Sequence, residues 1–295
     1  MEFMSIAKPT FINRWKNKTM KKILITMTAL VLTMAAQAQI SAIDTAQFVA
    51  VYDYECRTTD DEGKNVVDKM EIVVQMGQTV TKSMPRSKYV LTDEQKDVVA
   101  EYLEEFLHMP TIWIGWPEGR TTVREFFFPN EFEGCESTPE IRWKLTDDTL
   151  EVCGYRCSQA TATFRGVEWR VFYTEEIPLS AGPWRLRGLP GLIVKAESKS
   201  HTFCLAELRQ ETTPIIFEQK PDVQKTTYEK LLKHRNEIYG DRQYAKNPIY
   251  YVPDIRISIK NMSVFDSDGR QIIMVDGRPL LTKAHVYQPL ELKFR

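Results

Sequence analysis

Five cysteines, four histidines and a run of closely spaced glycines are the places where this 295-residue sequence concentrates side chains suited to chemistry. The densest run is GPWRLRGLPGLIV, residues 182–194. Glycines cradle phosphate when they are spaced as G-x4-G-K-[ST], or when G-x-G-x-x-G opens a helix. Gly182, Gly188 and Gly191 fit neither spacing, and the strand-like LIV follows instead of a helix. Leu189-Pro190-Gly191-Leu192 suits a type II turn, with Pro190 presetting the second position and Gly191 taking the positive φ of the third. Gly182-Pro183 and Gly188 add a second bend, with Trp184 and Leu186 available to cover apolar surface beneath it.

His108, His201, His234 and His285 are scattered, with no H-E-x-x-H pair. The dipole at a helix C-terminus accounts for His108, and an exposed helix face for His234. No G-x-S-x-G elbow or Cys/His protease pattern is present. The cysteines are Cys56, Cys135, Cys153, Cys157 and Cys204. Their single C-x3-C lacks a second pair of zinc ligands, so they read as structural. In an oxidising compartment up to two disulfides form, leaving one thiol over. If LEVCGYRCSQATATF is one extended strand, Cys153 and Cys157 stand roughly 13 Å apart, beyond the reach of about 7 Å that a disulfide allows. A bend at Gly154 would alter that. Asp147-Asp148 and Glu175-Glu176 point apart along extended chain and read as solvated surface. Met70, Met76, Met84 and Met109 lack an M-x-x-M repeat and read as packing. The expectation is therefore no catalytic residue, no metal ligand and no cofactor. Trp113, Trp116 and Trp184 are the candidates for lining a ligand groove, with Trp143 and Trp169 assigned to the core.

Short β-branched runs separated by turn residues supply the framework for these groups. Strands are expected over 48–54, 70–74, 112–114, 125–128, 150–157, 161–164, 192–196, 201–205, 255–259 and 262–265. VEWRVFY, 167–173, alternates Val167, Trp169, Val171 and Tyr173 onto one face, as a half-buried antiparallel strand does. DSDG at 266–269 and VDGRP at 275–279 mark hairpins. Two stretches read as helices. TDEQKDVVAEYLEEFLHM carries a capping box at Thr92 and Gln95, and TTYEKLLKHRNEIYG sets Tyr228, Leu231, Leu232 and Ile238 at helical spacing before Gly240. The segment 241–253 reads as a loop. The expected fold is α+β, mostly antiparallel β, a single strongly curved sheet or half-barrel with at least two helices.

Lys21-Lys22, the apolar run Ile23 to Ala35 and Ala36-Gln37-Ala38 have the form of a signal peptide. Met20 suits its start, leaving residues 1–19 as a mis-assigned start or a long charged leader. Residues 1–38 carry six basic side chains and one acidic, so the remaining 257 residues hold −6 of the overall −1. That mildly acidic body offers no footprint for nucleic acid or an anionic membrane. Residues 39–295 read as one β-rich domain with no transmembrane segment.

Residues 154–160 (GYRCSQA), including Cys157 and Ala160, then Phe164-Arg165-Gly166, then YTEEIP with Glu176, Ile177 and Pro178, then GPWRLRGLPGLI through Leu192 and Ile193, together resemble the GLPGLI family. The closing YQPLEL is similar to the family's ending, with Gln288 where Asn is expected. The resemblance implies an exported Bacteroidetes protein with a single β-rich domain in a cell-envelope setting, and it supplies no catalytic residues. The reading that follows is a non-enzymatic exported protein, in the periplasm, at the outer membrane or secreted, that binds a hydrophobic ligand or an envelope partner. The alternatives are an exported hydrolase or metal-dependent enzyme, which would need a His or Cys157 converging with carboxylates, and a purely structural periplasmic protein.

Overall fold

The computed structural model describes residues 42–60, 62–90, 109–127, 130–240 and 286–294, with four two-residue strands between 264 and 279. The described residues of Ala42–Ile216 and those from Lys220 onward form one compact unit. In chain order the strands are β1 (Ala42–Thr59), β2 (Asn65–Gly77), β3 (Thr81–Pro85), β4 (Thr111–Ile114), β5 (Arg120–Phe127), β6 (Asn130–Ser137), β7 (Lys144–Val152), β8 (Tyr155–Phe164), β9 (Val167–Thr174), β10 (Leu192–Glu197), β11 (His201–Ile216) and β12 (Gln224–Thr227). They form one sheet in the order β12-β6-β5-β4-β3-β2-β1-β11-β10-β9-β8-β7. Every pairing is antiparallel except β12 with β6. Helix α1 spans Arg86–Val90 and helix α2 spans Tyr228–Gly240.

The expected half-barrel with at least two helices is corrected here. The molecule is mostly β, and its sheet is neither strongly curled nor closed. Among the described residues, strands β12 and β7 remain as separate edges. Among the described residues α2 is the one helix longer than five residues, and the stretch 92–108 lies outside them. Apolar alternation reports which residues enter strands. Sheet curvature depends on twist and bulges, which alternation does not encode.

Long strands at the sheet's centre explain the continuous apolar runs. On β1, Ala50, Tyr52 and Tyr54 enter the main core, while Val49 and Val51 meet Val73 and Met84 in a smaller cluster. A strand covered on both faces loses its polar alternation. The four methionines are buried, as a packing role requires. On β9, Trp169, Val171 and Tyr173 are buried, and so are Phe172 and Thr174.

One strand boundary is also corrected. Residues 150–157 are two strands joined at Cys153-Gly154, with φ of 50° and 80°, and Leu150 pairs with Cys157. Positive φ at both central residues is the two-residue hairpin geometry whose usual signature is Asn-Gly or Asp-Gly. Cys in the first place hides the turn from a sequence reading. The Asp-Gly stretches behave as expected, with Val264–Phe265 (β13) pairing Gln271–Ile272 (β14) and Met274–Val275 (β15) pairing Arg278–Pro279 (β16). Residues 241–263, apart from their place in the sequence, lie outside the described residues.

Candidate functional site

Six ionisable side chains gather where five separate segments meet α2. The turn between β8 and β9 supplies Arg165, the GPWRLRG run supplies Arg185, and the C-terminal tail supplies Glu291. Glu136 comes from β6 and Glu125 from β5. Helix α2 adds Arg235 because its buried stripe of Tyr228, Leu231, Leu232 and Arg235 follows the 3.6-residue period. The helix seats closely on β6 at Gly134, where a Cβ would stand 2.8 Å from Leu231 Cδ2 and 3.0 Å from Tyr228 Cα.

Glu136 receives Arg165 Nη2 at 2.5 Å on Oε2 and Arg185 Nη2 on Oε1. Glu291 Oε1 receives Arg185 Nη1 at 3.0 Å, with Arg165 Nε at 3.7 Å. Its Oε2 accepts the Tyr228 hydroxyl and stands 3.3 Å from Arg235 Nη1. Arg235 Nε donates to Glu125 Oε2 at 2.7 Å. The aromatic walls also face the cations, with Arg185 4.4 Å from the Tyr228 ring centre and Arg165 4.4 Å from that of Phe294. All six ionisable groups are buried.

Three guanidiniums thus face three carboxylates, and the formal charges cancel. Burial works against the charge on Arg185 and Arg235. For Arg185 the opposing pull of Glu291, and for Arg235 that of Glu125, holds the guanidinium above its ordinary range. Burial raises Glu125 although Arg235 opposes it. Burial likewise raises Tyr228. Both oxygens of Glu136 and of Glu291 are engaged, so neither carboxylate stands ready as a general base for a substrate. What the arrangement does is hold the tail. Asn236 Nδ2 donates to the Glu291 carbonyl at 3.3 Å, and the Leu292 amide donates to the Arg165 carbonyl at 2.9 Å. Farther along, Ser200 Oγ donates to Gln288 Oε1 at 3.0 Å. Gln288 therefore keeps a polar partner.

These charges escaped the sequence reading because charged residues are expected at the surface, and their partners lie far apart in the chain. A usable signal existed for Arg235, which falls on the apolar stripe of α2. Arg165, Arg185 and Glu291 lie inside FRG, GPWRLRG and YQPLEL, three of the stretches that carry the family resemblance.

The run 182–193 is otherwise core. Trp184, Leu186, Leu192 and Ile193 are each 0% exposed, and Leu189 is buried. One of its glycines differs from expectation. Gly191 does not adopt positive φ, and Gly188 does, at 94°. Gly191 is needed for room, since a Cβ there would meet the Thr174 carbonyl oxygen at 2.0 Å. Gly182 is similarly confined by Leu186 O at 2.7 Å. Pro183 is buried beside Gly182, and Pro190 is exposed. Upstream, Cys157 and Ala160 are buried, Gly166 takes φ of 83° in its hairpin, and Glu176 and Pro178 are exposed. The Ile177 carbonyl accepts the Leu192 amide at 3.0 Å, tying the EIP segment to the start of β10.

The tryptophans occupy different neighbourhoods. Trp184 packs 5.8 Å from Trp169 and 6.0 Å from Phe164, ring centre to ring centre, inside the core. Trp113 donates its indole N–H to the Ile216 carbonyl at 3.0 Å and lies under Lys82 and Arg124. Trp116 is partly buried in the β4–β5 turn. With Trp184 sealed in the core, it offers no face to a groove.

His201 is buried, and burial pushes its imidazole down to about 4. Tyr54 OH lies 2.9 Å from Nδ1 and the Pro289 carbonyl 3.3 Å from Nε2, so a neutral ring donates from Nε2 and accepts at Nδ1. His234, expected on an exposed face, packs edge-on against Phe127 and tilted against Phe132. His108 and His285 lie outside the described residues. Burial raises the Cys157 thiol to about 11, and its Sγ lies 3.4 Å from the Tyr155 carbonyl. Among the described residues no group of three or more His, Cys, Asp or Glu is placed to hold a metal ion. No described helix is long and apolar enough to cross a membrane.

No family profile and no curated protein matches the chain. Two structures of PNGF-II, in space groups C2 and P21, align with it at TM-scores of 0.43 and 0.45 and 14% identity. They cover 62% and 65% of this chain, which spans about a third of their length, 31% and 33%.

Proposed function

We propose that the chain is an exported, non-enzymatic protein of the cell envelope that binds an envelope partner through the open edge of its sheet. The observation that carries this reading is β7. Among the described residues it ends the sheet, and it displays Leu145 and Leu150 at 56% and 40% exposure. An edge strand offers unpaired amides and carbonyls to an incoming strand, and exposed leucines add apolar contact to that pairing. Export draws its support from the signal-like residues 21–38, and membership of the GLPGLI family from residues 154–193 and the closing YQPLEL. The buried charge cluster favours a second reading, a purely structural periplasmic protein, because its carboxylates are spent on holding the chain together.

The two readings separate by site-specific photo-crosslinking in the cells that make the full chain. With the crosslinker at position 150, a defined protein adduct is expected that is absent with the crosslinker at exposed position 118. Leu150→Lys should remove most of the partner's association while shifting folding stability by no more than about 0.5 kcal/mol. No adduct from 145 or 150, or equal adducts from 118, would leave only the structural reading.

A further inference from the structure

Cys153 and Cys204 are far apart in sequence, and the β7–β8 turn brings them together. Cys153 occupies the first central position of that turn, with φ of 50°. From there its Sγ reaches to 3.8 Å from the Val194 carbonyl on β10. The next residue on β10, Lys195, faces Cys204 across the β10–β11 ladder. Across this corner Cys153 is close enough to Cys204 to act, after burial, in raising the Cys204 thiol. Both are only partly buried, whereas Cys56 and Cys157 are buried. Cys135 sits elsewhere, accepting Arg120 Nε at 3.0 Å.

We infer that Cys153 and Cys204 form a disulfide in the exported chain, stapling the β7–β8 turn to β11. The oxidant is a disulfide, either of a low-molecular-weight thiol or of a dithiol carrier protein. One cysteine thiolate attacks a sulfur of that disulfide, forming a mixed disulfide and releasing one carrier thiol. The second cysteine then attacks the protein-side sulfur, the Cys153–Cys204 bond forms, and the second carrier thiol leaves. The two cysteines lose two electrons and two protons, which the carrier disulfide takes up as two thiols. Either cysteine can open the exchange, and the other resolves it. The staple anchors the end of the same hairpin whose outer strand carries the open edge.

The supply of oxidant rests on the export proposed above, and the pairing does not. The test incubates the purified mature chain with mixtures of oxidised and reduced glutathione, blocks free thiols and maps the peptides without reduction. The expected product joins the peptide containing Cys153 to the one containing Cys204, while Cys56, Cys135 and Cys157 stay free. Thermal unfolding should move up by about 5–10 °C on oxidation. Cys153→Ser and Cys204→Ser should each abolish both the link and the shift, with the reduced variants melting close to the reduced parent. A Cys153–Cys157 link, or glutathione adducts on both cysteines without a link, would overturn the pairing. A link that forms with glutathione but is absent from protein isolated from its own cells would retain the pairing and overturn export.

Discussion

Glu291 and His201 are both withdrawn from solvent, at 0% and 1% exposure, yet their surroundings are opposite. Glu291 is ringed by Arg165, Arg185, Arg235 and the Tyr228 hydroxyl. His201 lies against Trp169, with its two ring nitrogens directed at a hydroxyl and a carbonyl. One region meets the cost of burial by matching every charge, and the other by keeping a titratable ring neutral. GPWRLRG contributes to both, sending Trp184 and Leu186 into the apolar region and Arg185 between them into the charged one. A single short run therefore joins two kinds of interior. The C-terminal tail does the same, through Pro289 at His201 and Glu291 at the arginines.

The largest effect should come from breaking the charged region. Glu291→Ala leaves three buried guanidiniums short of a partner, and urea unfolding should show a loss of about 3–5 kcal/mol. Glu291→Leu, which keeps apolar volume, should lose as much, because unpaired charge rather than a cavity carries the cost. If Glu291→Leu unfolded like the parent, the distinction between the two regions would collapse.

The apolar region should respond to pH instead. The folded imidazole of His201 titrates near 4, below its ordinary 6.5, so between those values the unfolded chain takes up a proton that the folded chain refuses. This contribution is fully present above about pH 6.5 and is lost as the pH falls toward 4, amounting to about 3 kcal/mol. His201→Gln should flatten that part of the stability profile, and an unchanged slope would show that the ring charges without cost.

Smaller effects should sort the two glycines of the connecting run. Gly191→Ala drives a Cβ against the Thr174 carbonyl and should cost about 2–3 kcal/mol, whereas Gly188→Ala meets only the strain of positive φ, about 1–2 kcal/mol. Thermal unfolding of both variants checks the order. A larger loss at 188 would return the run to the simple turn that its Pro-Gly pair suggests.

Much of the framework was legible because it is local. Alternation marked most strands, the stripe Tyr228, Leu231, Leu232 and Ile238 marked α2, and the two Asp-Gly stretches marked hairpins. The β7–β8 turn was not, since Cys153 takes a backbone conformation that the sequence gives no reason to assign to a cysteine. The charge cluster was less legible still. Each of its members resembles an ordinary surface residue until its partner is known, and Glu136, Arg165, Arg185 and Glu291 come from four separate segments.

By itself, then, the sequence determined that this chain is rich in antiparallel strands, where α2 lies and that residues 182–193 turn into β10. Periodicity and turn chemistry act over a few residues and can be read from them. Only the tertiary structure decided that Gly191 is required for space, that Trp184 is core, that Cys153 reaches β10 and that Arg165, Arg185 and Glu291 share one site. Burial, close approach and charge pairing are properties of segments brought together from a distance, and no local pattern contains them.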